Sequence, residues 1–132
     1  MGRKRRARRD RTQDQAPRPL SRRQRVLVVV SEDNTFAQRR FRGEELWFGK
    51  CLMCGTKVLV SLEGDLLGGA TLEHIEPRNH GGTDDTGNLA IACARCNHSK
   101  GARLDNRSRG DQRRQEVVAQ LLDRKRSRHP DA

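Results

Sequence analysis

The sequence predicts a small α+β domain stapled by a structural metal, with basic segments on either side. Three observations lead there. Of 132 residues, 33% are hydrophobic and 34% charged, and so small a core commonly needs a metal or disulfides to hold it. Four cysteines stand as two C-x2-C pairs, Cys51/Cys54 and Cys93/Cys96, the spacing of zinc knuckles rather than of a disulfide framework. Strand-like and helix-like stretches also alternate along the chain, with no internal repeat.

Charge divides the chain further. Residues 1–25 carry 11 Lys/Arg against 2 acids, residues 26–100 carry 8 against 10, and residues 101–132 carry 9 against 5. A slightly acidic folded unit thus sits between basic ends. Such ends suit a polyanion, because each neutralised phosphate releases condensed counterions; the alternative is a solubilising tail or sorting signal. We assign 1–25 to a basic tail, disordered until it meets a partner, 26–106 to a folded domain with its core at 51–101, and 107–132 to a basic C-terminal helix and tail. "MGRKRRARRD" has no apolar segment behind it, and the longest apolar run, Val26 to Val30, is too short for a bilayer. A cytoplasmic protein with reduced thiols is expected, nucleoid association being compatible with its charge.

Each element has its own signal. "RVLVVV" is β-branched and reads as a short strand, a buried helical turn being the alternative. "SEDNTFAQRRFRG" reads as a helix: Ser31 as N-cap, acids at its start, arginines at its end, Gly43 as stop. The four aromatics, Phe36 to Phe48, lack interleaved basic residues and read as core packing rather than a stacking surface. Val58 and Val60, a Gly-rich turn and a second strand through Leu72 to Ile75 read as a β-hairpin. Pro77 and "NHGGTDD" predict a long loop from Glu76 to about Gly87. "NLAIAC" reads as a strand or turn, a helix should begin near Ala94, and apolar positions 117, 118, 121 and 122 mark a terminal helix.

The four cysteines predict a tetrahedral structural zinc site. Between Cys54 and Cys93 lie 38 residues, so the ion should clamp the ends of an inserted element. With four thiolates it has no open position and should not be the catalyst; redox or free thiols are the alternative.

That insertion contains "LEHIEPRNHGGTDDTGNLAIACARCNHSKG". Through "CLMCG", "EHIEP", "GGTDDTGNL" and "CARCNHSKG", in order and at family-like spacing, residues 51–101 resemble the HNH endonucleases. The resemblance implies a ββα-metal (His-Me) finger: a hairpin, a loop and a helix around one divalent ion. It assigns His74 as the general base, Glu73 as a ligand of the catalytic ion where many members have Asp, and Asn88 as the residue that pins the loop. Asn97 takes the last position of the motif, the second protein ligand.

The residue types suit phosphodiester hydrolysis. Imidazole is the side chain whose ordinary range spans neutral pH. Glu73 is a hard oxygen ligand suited to Mg2+ or Mn2+, and an ion with two protein ligands keeps positions for phosphate and water. Residues 73 and 74 face opposite sides of a regular strand, so both reach one site only if the strand twists or ends there. His98 competes with Asn97, but neighbours at a helix start point about 100° apart, and the family pattern favours Asn97. Arg78, Arg95, His98 and Lys100, with His80, are candidate phosphate contacts.

The function expected is a metal-dependent endonuclease hydrolysing double-stranded DNA. The alternatives are a non-catalytic zinc-knuckle DNA- or RNA-binding protein and an RNA-associated scaffold. Neither requires Glu73, His74 or Asn97. Members of this look occur in phages, mobile elements, defence and genome packaging, so a phage or host protein partner is compatible. Sequence specificity and oligomeric state are not legible.

Overall fold

The computed structural model describes residues 18–132; most of the expected basic tail, residues 1–17, lies outside the described residues. The first helix, α1 (Arg22–Ser31), begins in a capping box. Ser21 Oγ accepts from the Gln24 N–H at 3.2 Å, and Gln24 Oε1 accepts from the Ser21 N–H at 2.8 Å, which satisfies two N–H groups that a helix start otherwise leaves open. The helix buries Val26, Val29 and Val30, an i, i+3, i+4 stripe. "RVLVVV" is therefore helical and not a strand, and helix already begins inside the stretch assigned to the tail.

The next segment also differs from expectation. Ser31 ends a helix instead of starting one. Asp33 Oδ1 accepts from both the N–H and the hydroxyl of Thr35, a turn that leads into a strand. Strand β1 (Ala37–Phe41) pairs with β2 (Glu44–Lys50) across Arg42 and Gly43. Both turn residues have positive φ, 50° and 81°, as a two-residue hairpin of this twist requires. β2 pairs with β3 (Lys57–Ser61), and β3 with the two-residue β4 (Leu66–Leu67), giving an antiparallel sheet ordered β1-β2-β3-β4.

The expected hairpin from Val58 to Ile75 does not form, because β4 takes the free edge of β3. The chain passes through Gly68 and Gly69 into a second sheet. There β5 (Ala70–His74) pairs antiparallel with β6 (Leu89–Cys93), His74 opposite Leu89. Their connection carries two short 3-10 turns, Arg78–His80 and Thr86–Asn88. Helix α2 (Ala94–Lys100) follows β6 directly and runs into a π-helical turn, Gly101–Asp105. Helix α3 (Gln112–Ser127) closes the structure. The architecture is mixed α+β with antiparallel strands, as expected, and β5, β6 and α2 supply the ββα order.

One core cluster joins both sheets to α1: Val26, Val29 and Val30 pack with Phe36, Val58, Val60, Leu89 and Ile91. The sheet lies so close to Phe36 that a Cβ on Gly49 would stand 2.4 Å from its ring. A second cluster seats Val118 and Leu121 of α3 on Leu52, Ile75 and Ala90. The aromatics divide between faces. Phe36 is core and Trp47 packs against it, whereas Phe41 is 40% exposed and pairs edge to face with Phe48 at 5.9 Å.

Arginines of α3 and the residue that caps it hold the site region from behind. Arg114 donates to Glu76 Oε1 at 2.8 Å. Arg124 donates to the carbonyls of Leu52 and Met53 at 2.8 and 2.9 Å, and Arg128 to those of Lys50 and Cys51 at 2.9 and 3.2 Å. Gly49→Ala should force Phe36 aside and lower unfolding free energy by about 1–3 kcal/mol, the usual cost of overpacking, measured by urea denaturation.

Candidate active site

The two knuckles meet. The reactive sulfurs of Cys51, Cys54, Cys93 and Cys96 all lie within 4.8 Å of one another, with Cys54 and Cys93 sulfurs 3.8 Å apart. Tetrahedral zinc at about 2.3 Å from each sulfur sets neighbouring sulfurs about 3.8 Å apart, so the cluster has the make-up and spacing of a structural zinc site. Backbone N–H groups aim at the sulfurs: those of Met53 and Cys93 at Cys51, Thr56 at Cys54, and Cys96 at Cys93. Such donors offset the negative charge of a thiolate set. The Thr56 hydroxyl and N–H hold the Cys54 thiol down to about 6, while burial, then the neighbouring cysteines, push Cys96 up.

Cys93 is also the N-cap of α2, so this knuckle fixes where the helix starts and what it presents to β5. Asn97 Nδ2 donates to Thr71 Oγ1 at 3.0 Å. One turn later Lys100 points at Glu73, two residues beyond Thr71 on the same face of β5. Lys100 and Glu73 are each only 4% exposed. The ammonium donates to Glu73 Oε1 at 3.0 Å, Asp105 Oδ1 at 2.8 Å and the His74 carbonyl at 3.1 Å. All three of its protons are used, as a buried ammonium requires. Burial pushes the Glu73 carboxyl up, opposed by Lys100. Lys100 is thus no phosphate contact: its charge is spent inside the protein. The π turn brings Asp105 back over it.

His74 ends β5 and turns away from Glu73, as strand alternation dictates. Its Nε2 lies 2.8 Å from Asp84 Oδ1. Arg78 donates to the same Asp84 oxygen at 2.6 Å and to His74 Nε2 at 3.3 Å. The contacts on Nε2 demand opposite protonation states, and the shorter one, to the carboxylate, assigns the proton to Nε2. Hydrogen bonds from His74, then Arg78, hold Asp84 at about 2.

The loop beneath is pinned from several sides. Asn88 accepts from the Glu76 N–H at 2.8 Å and donates to the carbonyls of Glu76 and Thr83 at 3.0 and 2.9 Å. The Asp105 carbonyl accepts from Asn79, and His80 Nε2 lies 2.9 Å from it. Gly82 runs against the Glu76 carbonyl so tightly that a Cβ would overlap it. Arg95 and His98 are exposed on α2, and Arg78 is exposed beside His74.

The structure therefore places Glu73 and Asn97 along one β5–α2 seam and His74 at the strand's end on the other side. No hydrogen bond among the described residues uses Asn97 Oδ1 or Glu73 Oε2, and neither is a buried orphan. Both are hard oxygens of the type a divalent ion takes, but Glu73 is buried and engaged by the Lys100 ammonium. Asp84, Asp105 and Arg114 are the residues that sequence reasoning passes over. Asp84 is one of two adjacent aspartates in a loop without periodicity, and Asp105 and Arg114 lie beyond the motif.

The model of the HNH endonuclease family matches residues 51–103. The match spans 53 of the chain's 132 residues. The HNH family is one of nucleases, and its domains typically bind nucleic acid. No curated protein and no solved structure matches the chain. No helix among the described residues is long and apolar enough to cross a membrane.

Two outcomes are expected. The purified protein should contain one zinc per chain, and chelation or Cys93→Ser should unfold it, followed by metal analysis and circular dichroism. Glu73→Gln should lower stability by about 3 kcal/mol, because it strands part of a buried ion pair; chemical denaturation reads this directly.

Proposed function

We propose that this HNH protein is a metal-dependent endonuclease that hydrolyses phosphodiester bonds of double-stranded DNA. The observation that carries the reading is His74, held at the mouth of the loop by the Asp84 carboxylate with Arg78 alongside. A proton kept on Nε2 by Asp84 leaves Nδ1 as the basic atom, and no hydrogen bond among the described residues uses it. In this reading Nδ1 takes the proton of the attacking water, and Asp84 stabilises the imidazolium that results, the same logic as an aspartate behind a catalytic histidine.

The remaining residues position. Asn88 fixes the loop that carries Arg78 and Asp84, so its loss acts through geometry. Arg78, Arg95 and His98 offer positive or hydrogen-bonding groups to phosphate. Glu73 and Asn97 would hold Mg2+ or Mn2+ once the Lys100 ammonium yields Glu73, and the ion would supply charge stabilisation at the phosphate and the departing 3′ oxygen. Zinc at the four cysteines braces α2 and takes no part in the chemistry. The basic ends of the chain add sequence-independent attraction to DNA.

The test is nicking of supercoiled plasmid with Mg2+ or Mn2+. His74→Ala should reduce the rate by at least about 100-fold, the usual worth of a general base, with the melting temperature nearly unchanged. Equal nicking by wild type and His74→Ala, or none by either across several divalent ions, would sink the assigned chemistry. That second result would favour a binding module without catalysis.

A further inference from the structure

The aromatic segment outside the HNH domain has no part in the chemistry above, and its structure gives it one. Strand register places Phe41, Leu46, Phe48 and Leu59 on the face of the four-stranded sheet opposite Val58 and Val60, which belong to the core. The Phe41 and Phe48 rings meet edge to face on either side of Leu46, which is only 7% exposed. The result is a small apolar surface formed by Phe41, Phe48, Leu46 and Leu59.

Cations surround it and outnumber Glu44, the cross-strand partner of Phe41 on the same face. Arg39 lies on the same face opposite Leu46. Arg42 stands 5.1 Å over the Phe41 ring, and Lys57 5.4 Å over the Phe48 ring. Lys50 and Lys57 are direct partners across β2 and β3, a like-charge pair that costs stability unless an anion lies nearby. Among the described residues, none of these four cations is in an ion pair with a carboxylate. Sequence spacing hides this arrangement, because the cations reach the rings from a turn and from a different strand.

We infer that this face binds a single-stranded stretch of nucleic acid: Arg42 and Lys57 swing off the rings to meet phosphates with Arg39 and Lys50, and bases stack on Phe41 and Phe48 in their place. Charge complementarity selects the occupant. A second copy of the chain would bring the same unpaired cations against themselves, whereas a strand of bases offers apolar faces and phosphates together. The proposal rests on the nucleic-acid reading of the HNH domain and extends it to a different surface, outside residues 51–103 except for Lys57 and Leu59.

The test uses the full zinc-loaded protein and a fluorescein-labelled oligothymidylate, read by anisotropy over a salt series. Phe41→Leu keeps an apolar side chain but loses the ring, and should weaken binding roughly tenfold, as one lost base–aromatic stack does. Phe41→Tyr should bind within about twofold of wild type, since it keeps the stacking face. Lys57→Gln should weaken binding and reduce the salt slope by about one. Equal affinities for wild type and Phe41→Leu would overturn the inference, as would self-association in sedimentation that Phe41→Leu abolishes. Nicking that depends on His74 without any effect of Phe41→Leu removes this surface alone. Binding that depends on the Phe41 ring, without nicking, removes the nuclease reading alone.

Discussion

The four-cysteine cluster is the constraint on which the rest of the structure depends. Cys51 and Cys54 follow the last residue of β2, and Cys93 and Cys96 join β6 to α2. One ion there would tie the four-stranded sheet to the ββα unit across 38 intervening residues. It would also set the first turn of α2, and through it the meeting of Asn97 with Thr71 and of Lys100 with Glu73. A metal can do this where hydrophobic burial cannot, because the apolar residues form two modest clusters instead of one large core.

Around that staple the site is divided by strand alternation. Glu73 and His74 are neighbours in sequence, yet one looks into the protein and the other out to the loop. The inward side is a closed electrostatic unit in which an ammonium balances two carboxylates and fixes the strand carbonyl. The outward side is open, and its charges, those of Asp84 and Arg78, sit around an imidazole. An ionisable group is costly on the first side and available on the second. That contrast, more than the motif letters, separates the buried side of the seam from the side open to solvent.

How much was legible in the sequence varies by element, for physical reasons. The knuckles, the start of α2 and the apolar stripe of α3 were readable, because spacing and periodicity report them directly. "RVLVVV" was not, since a β-branched run fits a buried strand as well as a helix; the deciding signal was Ser21 and Gln24, a capping box just upstream. Ser31 misled because polar residues serve a helix end and a turn equally, and a two-residue turn at Arg42–Gly43 lacks the usual Asn. Within the site, the positions of His74, Asn88 and Asn97 followed from the motif. Asp84 beside His74, Thr71 beside Asn97 and Asp105 beside Lys100 did not, because they are brought in by a loop, a strand–helix contact and a π turn.

The arginine bonds of the C-terminal region carry a consequence for what counts as the working unit. The HNH match ends at residue 103, yet the carbonyls of Lys50 through Met53 are bonded by Arg124 and Arg128, and the loop's Glu76 by Arg114. The recognisable motif is therefore not an excisable module. A frameshift or early stop that spared every motif residue but removed the last helix would leave the first knuckle's backbone without its partners.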